Sequence, residues 1–337
     1  MKDSAISLIR VISMLFIVIC HLGAFYNSSL ISQLFNVGVP IFLFISGFLY
    51  GKKDIHTWWN WGKKRWISLM IPCYIWMLLL LLSGVVEDIA VTNGQSCWLV
   101  LFNLQGISFL VDAANWAQMS GGLGHLWFLT ALMLCYACLP LLQKAQSRVL
   151  TLSKAGIVCL LIGAFMLKCL CDYTIGLHLG YLLTFSIGYF WSKIWSMPSF
   201  KAVVGWCCVA VASCALRVGG KVLWDDTFLY NQIIVSISQT LLAISIFQVL
   251  YWMHTQTRQP TPHIVAWGGA SQYIDKLTFY IYITHYIFLT GAYNVKQYAE
   301  NSIALQMVLF IGLTLGSAIL LERLSFYPIK WLLRKKS

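Results

Sequence analysis

Charge is scarce in this sequence. Of 337 residues only 10% are charged, against about 25% in an ordinary soluble domain. Acidic residues are the scarcer sign, with 11 Asp and Glu against 23 Lys and Arg and a formal net charge of +12. A chain so short of charge, with 59% hydrophobic residues, cannot cover a soluble surface. No paired metal-ligand spacing appears among the Cys and His residues, so no metal site is expected. The eleven cysteines lie mostly inside apolar runs, where Cys20, Cys73, Cys135 and Cys138 act as small apolar residues. No repeat or low-complexity segment stands out. No small-residue cleavage site follows the first apolar run, which therefore reads as a retained helix. No acidic residue stands midway along an apolar run.

What the sequence does have is long hydrophobic runs, and its mean hydropathy is +0.76. The runs fall near 5–26, 35–51, 66–84, 124–142, 155–170, 177–193, 202–217, 231–253, 274–292 and 303–322. The expected fold is all-α, a polytopic membrane bundle of about ten transmembrane helices. Residues 1–337 form a single membrane-embedded domain in this reading, with no appended soluble domain. Ten spans put both termini on one side. Nineteen of the 23 Lys and Arg gather on that side and only Lys168, Arg217, Lys221 and Lys296 on the other. This asymmetry makes the termini cytoplasmic. The same placement, in short segments between apolar runs, turns the basic charge into a topology signal and excludes a nucleic-acid partner. The apolar piece 97–110, in the outer segment 85–123, is too short to cross and reads as an interfacial or re-entrant helix.

A few polar residues stand where lipid should be. Arg10 and His21 lie eleven residues apart in the first run. At about 100° each, eleven residues make three turns plus roughly 20°, so both share one helical face about 16 Å apart along the axis. Each has an ordinary alternative: the arginine snorkels to the interface, or the histidine is a hydrogen-bonded core residue. His285 lies within 278–288, beside Tyr280, Tyr282 and Thr284, and is either a satisfied cluster between helices or a working group. His125 stands where an outer helix begins, next to the interfacial aromatic Trp127. In 42–53, Ser46 and Gly47 interrupt an apolar helix, either for close packing or as a gap for a ligand. The inner loop 52–65 ends on Lys64 and Arg65. It reads as membrane anchoring or as a docking surface for a polyanionic nucleotide.

Taken in order, these segments resemble the acyltransferase 3 family of polytopic membrane proteins. They are the first helix LIRVISMLFIVICHL, the Ser-Gly-Phe second helix, KKRWISLMIP, GHLWFLTALMLCY and FYIYITHYIF, and the resemblance spans essentially the whole chain. It implies a multi-pass protein of a plasma membrane, bacterial in origin. Such a protein moves an acyl group, usually acetyl, from cytoplasmic acyl-CoA (here acetyl-CoA) to a carbohydrate or other cell-envelope glycan outside. Arg10 and His21 fall on the family's essential pair, and His125 and Trp127 on its His-Leu-Trp-Phe-Leu segment. Where relatives often carry a second arginine before the third-helix proline, this chain reads Arg65, Trp66, Ile67, Ser68. The hydrolase-like domain that some relatives add is not seen here.

The chemistry follows from the residues. A sugar hydroxyl needs a base, and an imidazole with an ordinary pKa near 6.5 suits that task at neutral pH. His21 is the expected base, and Arg10, Lys64 and Arg65 are expected to bind acyl-CoA at its phosphates or its thioester end. His125, Trp127, Ser46, Tyr282 and His285 are expected to support the acceptor or the base. An acyl-histidine intermediate, or Cys20 or Ser46 as nucleophile, stays open at this point. The competing class is a polytopic transporter or flippase for an envelope glycan or lipid-linked sugar, since intramembrane Arg and His also line substrate and proton paths.

Overall fold

The computed structural model describes residues 4–83, 99–105, 123–174, 179–225, 227–256, 262–290 and 293–334. Among these residues every regular element is a helix and no strand occurs. Hydrocarbon offers no partner to a backbone amide, so apolar runs fold into elements that satisfy their own hydrogen bonds. In chain order the helices are α1 (Ser4–Phe25), α2 (Ser29–Phe35), α3 (Gly38–Gly51), α4 (Trp58–Leu82), α5 (Trp127–Ala137) and α6 (Leu139–Leu150). They continue with α7 (Lys154–Thr174), α8 (Gly180–Ile194), α9 (Phe200–Trp224), α10 (Val235–Gln256), α11 (Pro262–Thr284) and α12 (Ile303–Arg334).

Among the described residues, 7 stretches are long and apolar enough to cross a membrane. They are α1, α2 with α3, α4, α7, α9, α10 with the π-helical turn before it, and α12. Gly124–Ala137 and Leu139–Leu150 pass only when counted together. The break between them lies at Cys138, where Pro140 opens the next helix. The run 177–193 becomes a helix of only 15 residues. The run 274–292 leaves the α conformation at Thr284, and a 3₁₀ turn, His285–Phe288, follows. The protein is thus an all-helical, polytopic chain. Of the piece 97–110, residues 99–105 are described and the rest lie outside the described residues.

Contacts divide the chain into two compact units. The first comprises Met1–Asp54 and Cys138–Lys276. Its α1 buries Ile6, Ile9, Ser13 and Ile17 at the three-to-four spacing of one helical stripe, while Leu15 on the opposite side is 53% exposed. Its Ile6 and Ile9 meet Ile41, Phe44 and Phe48 of α3 and Phe247 of α10 in an apolar core. The α8 helix lies along α3 in close contact. A Cβ added at Gly47 would overlap the carbonyl oxygen of Phe185, and one at Gly188 would overlap that of Phe44. Small residues here let two backbones touch, the usual route to tight packing where lipid gives no hydrophobic drive.

The second unit comprises Ile55–Ala137 and Leu277–Ser337. There α12 and α5 both pack on α4. Just ahead of α5, a short polar network holds the chain. Asn103, at φ 54°, donates from its side chain to the Leu129 carbonyl at 3.3 Å. Gln105 donates to Asn103 Oδ1 at 3.1 Å and to the Leu126 carbonyl at 2.9 Å. These bonds fix the 3₁₀ turn Gly124–Leu126, and with it the histidine at its centre.

Candidate functional site

The first unit holds an ion pair. Arg10 Nη2 donates to Asp275 Oδ2 at 2.7 Å, and the Ser7 hydroxyl donates to the same oxygen at 3.1 Å. The two partners differ in burial: the Asp275 side chain is 3% exposed and that of Arg10 is 27%. Asp275 lies inside α11, as the second residue of the apolar run 274–292. It stands 265 positions from its partner. A carboxylate there costs several kcal/mol of desolvation unless a cation meets it, and Arg10 does. The guanidinium has further N–H groups, and its buried Nε has no hydrogen-bond partner among the described residues. Arg10 is thus anchored at one nitrogen with donors to spare.

His21 lies near the other end of α1 and is half-buried. The shared face is real, since Arg10, Met14, Ile17 and His21 follow one another at four, three and four residues. Yet Met14 and Ile17 between them are each only 5% exposed, and Ile17 packs where Gly38 of α3 approaches α1. The face joining the pair is therefore apolar and packed, with its polar groups only at its two ends. Next to His21, Cys20 Sγ donates to the Ser32 carbonyl at 3.4 Å, and the Ser32 hydroxyl donates to the Cys20 carbonyl at 2.8 Å. This reciprocal pair ties α2 to α1 and occupies the thiol.

The second unit brings three of the expected residues together. His125 is 3% exposed, Tyr282 4% and His285 0%. His125 Nε2 donates to the Tyr282 carbonyl at 2.7 Å, and the Tyr282 hydroxyl donates back to the His125 carbonyl. His285 Nδ1 donates to the carbonyls of Ile281 and Tyr282 at 3.0 and 2.9 Å. These carbonyls belong to the last turn of α11, whose oxygens lack amide partners further along the helix. A carbonyl only accepts, so the contacts put a proton on Nε2 of His125 and on Nδ1 of His285. The two imidazole rings lie 5.0 Å apart, centroid to centroid, and Tyr286 packs 4.9 Å from His125. One backbone carbonyl thus serves both histidines, an arrangement that no residue-by-residue reading of the sequence shows.

The remaining expected residues are placed as follows. Ser46 is 8% exposed in α3, beside the Gly47 contact. Lys64 is exposed on α4. Arg65 is half-buried, with its guanidinium 5.9 Å from the Trp61 ring centroid. Trp127 is half-buried at the start of α5. Residues that sequence reasoning passed over are Ser7 and Asp275, partners of Arg10. Beyond the site, it also passed over the buried cations Lys168 and Arg217, 3% and 0% exposed. The signal that could have found Asp275 is an acid inside an apolar run on the same side as the only arginine of the first helix.

A family model described as an acyltransferase domain matches residues 3–323. The chain belongs to that family. No curated protein and no solved structure matches it. The match runs from the foot of α1 into α12, so Arg10, His21, His125, Tyr282, Asp275 and His285 of this membrane acyltransferase all lie inside it.

Proposed function

We propose that this acyltransferase takes an acyl group, acetyl by preference, from cytoplasmic acyl-CoA and transfers it to a hydroxyl of an extracytoplasmic carbohydrate or cell-envelope glycan. The reading includes a ten-span topology with cytoplasmic termini in a bacterial plasma membrane. The observation that carries it is the polarity of α1: a guanidinium anchored by Asp275 at one end and a half-buried imidazole at the other. His21 takes the proton of the acceptor hydroxyl as the oxygen attacks the thioester carbonyl. The new C–O bond forms, the C–S bond breaks, and the imidazolium returns its proton to the leaving thiolate, so the base is restored. About 16 Å of helix axis separates the two side chains, too far for one reacting carbonyl to touch both. Arg10 therefore holds a part of the donor away from the thioester, and its phosphates are the groups a guanidinium grips best. Lys64 and Arg65 add positive charge for the nucleotide on α4.

Two measurements on purified protein test this. Acyl-CoA hydrolysis and acyl transfer are compared for wild type and His21→Ala, and general-base loss is expected to cut turnover about 10²–10⁴-fold. Near-normal turnover in the variant removes His21 from the mechanism. Donor binding is then compared for wild type and Arg10→Ala, with a rise in Kd of about tenfold or more expected for a lost charge-assisted contact. An unchanged Kd removes Arg10 from the donor site. The Arg10–Asp275 pair, with its buried acid, also suits a transporter, where such pairs mark ion and substrate paths. Wild-type protein that binds no acetyl-CoA would favour that second reading.

A further inference from the structure

The first unit carries a second set of buried polar groups, away from the Arg10–Asp275 pair, that acyl transfer as described does not use. Arg217, on the apolar helix α9, is fully buried. Its Nη1 and Nη2 donate to the Asn36 carbonyl at 3.4 Å and to Gln33 Oε1 at 3.2 Å, both neutral groups. Its buried Nε has no hydrogen-bond partner among the described residues. A cation held this way inside a membrane helix is costly, and such groups are normally kept for a ligand or a path. Asn36 also accepts from Gln239 at 2.7 Å.

Asn36 and Gln239 form part of the wall of a cavity of about 190 Å³. Lys168 reaches the same cavity from α7, only 3% exposed. Its ammonium donates to the Gln232 backbone carbonyl at 2.9 Å, to Gln232 Oε1 at 3.0 Å and to the Ser236 hydroxyl at 2.8 Å. Asn231 completes the polar lining, and no carboxylate occurs among the described residues that line it. Amides and hydroxyls are the groups that pair with sugar hydroxyls, and a lining cation with a second one behind the wall sets a positive potential. Drug-sized sites run to about 300–1,000 Å³, so this cavity suits one ring and not a chain of them. Lys168 and Arg217 are also two of the four basic residues that the charge pattern puts on the outer side.

We propose that this cavity is the acceptor subsite and that it takes a sugar ring bearing an anionic group, a carboxylate or a phosphate. The proposal rests on the acyl-transfer reading above and adds the chemical class of the acceptor. The test is equilibrium binding of glucuronate, glucose and inorganic phosphate to the full-length protein in detergent. Glucuronate is expected to bind wild type about tenfold or more tightly than glucose, because the Lys168 charge attracts the anion through the cavity even with its three N–H groups donated to Gln232 and Ser236. Lys168→Met should bring the two sugars together. Asn231→Leu, at an exposed position and so safe for folding, should weaken both. Phosphate that binds and displaces glucuronate assigns the site to a phosphate-bearing acceptor. Glucuronate binding that phosphate does not disturb assigns it to a uronic acid.

Equal affinity for glucuronate and glucose, or no binding of any of the three probes, overturns the proposal. So does a folded Lys168→Met protein that keeps the preference. If wild type still hydrolyses acyl-CoA in a His21-dependent way, the transferase reading survives that failure. If glucuronate binds but hydrolysis does not depend on His21, the subsite stands and the transferase mechanism falls.

Discussion

Two polar clusters sit in apolar surroundings, one in each compact unit, and they are built in opposite ways. In the first unit a formal charge pair, Arg10 with Asp275, is half open: the acid is 3% exposed and the base 27%. In the second, His125, Tyr282 and His285 are all closed in and answer one another through backbone carbonyls. The difference separates two meanings of a buried polar residue. A network whose donors are spent on carbonyls fixes geometry, because any member removed leaves a buried group unsatisfied. A cation anchored at one nitrogen and open at others is set up to meet something else. On this view the first cluster binds, and the second holds the end of α11 and the turn before α5 in register.

Breaking the first cluster should have the larger effect. Asp275→Ala leaves the Arg10 charge without its carboxylate. Removing one partner of a fully buried pair costs about 3–5 kcal/mol. Arg10 keeps some access to water, so a loss of about 1–3 kcal/mol is expected, read as a fall in thermal unfolding temperature in detergent. Donor affinity should fall as well, since the guanidinium is no longer held in place. Asp275→Asn keeps a hydrogen-bond acceptor and should recover part of both. If Asp275→Ala unfolds at the wild-type temperature and binds acyl-CoA as wild type does, the ion pair neither holds the fold nor positions Arg10.

Breaking the second cluster should cost less and cost stability alone in the first instance. Tyr282→Phe removes the hydroxyl that donates to the His125 carbonyl and keeps the ring that packs against Phe128. One neutral hydrogen bond is worth about 1 kcal/mol net. A Tyr282→Phe protein with unchanged unfolding temperature would mean that the His125 turn is held by its other contacts, those of Gln105 and Asn103.

These clusters also show what a sequence can and cannot disclose. The apolar runs carried the class of fold, because every membrane span must satisfy its own backbone and so needs a long apolar stretch. The first run, 5–26, matches α1 (Ser4–Phe25) almost to the residue. The last, 303–322, starts with α12 but stops short of Arg334, since a helix that leaves the bilayer needs no apolar residues to continue. The run 35–51 hid a break, with α2 and α3 meeting near Asn36 and Val37. Arg10, His21, His125 and His285 were legible as polar residues out of place. Asp275 was not, because its partner lies 265 positions away and its position near the start of an apolar run resembled a helix foot. Nor could the proton positions be read, since they depend on the backbone oxygen of Tyr282 and not on any side chain.

The smallest effect expected is also the control that gives the first comparison its meaning. Lys221 and Asp225 on the same unit form an ion pair at 2.8 Å, one turn apart at the end of α9. The distance is nearly that of Arg10 to Asp275 at 2.7 Å. The setting differs: the Lys221 and Asp225 side chains are 27% and 46% exposed. Water screens both partners, and each long side chain gives up rotamer freedom to hold the contact, so such pairs contribute about 0.3–0.5 kcal/mol. Lys221→Ala should therefore leave the unfolding temperature within error of wild type, while Asp275→Ala lowers it clearly. Equal losses from the two variants would show that the distance between charges, and not the burial of the acid, sets the strength of these pairs. The distinction drawn between an anchored arginine and a surface ion pair would then fail.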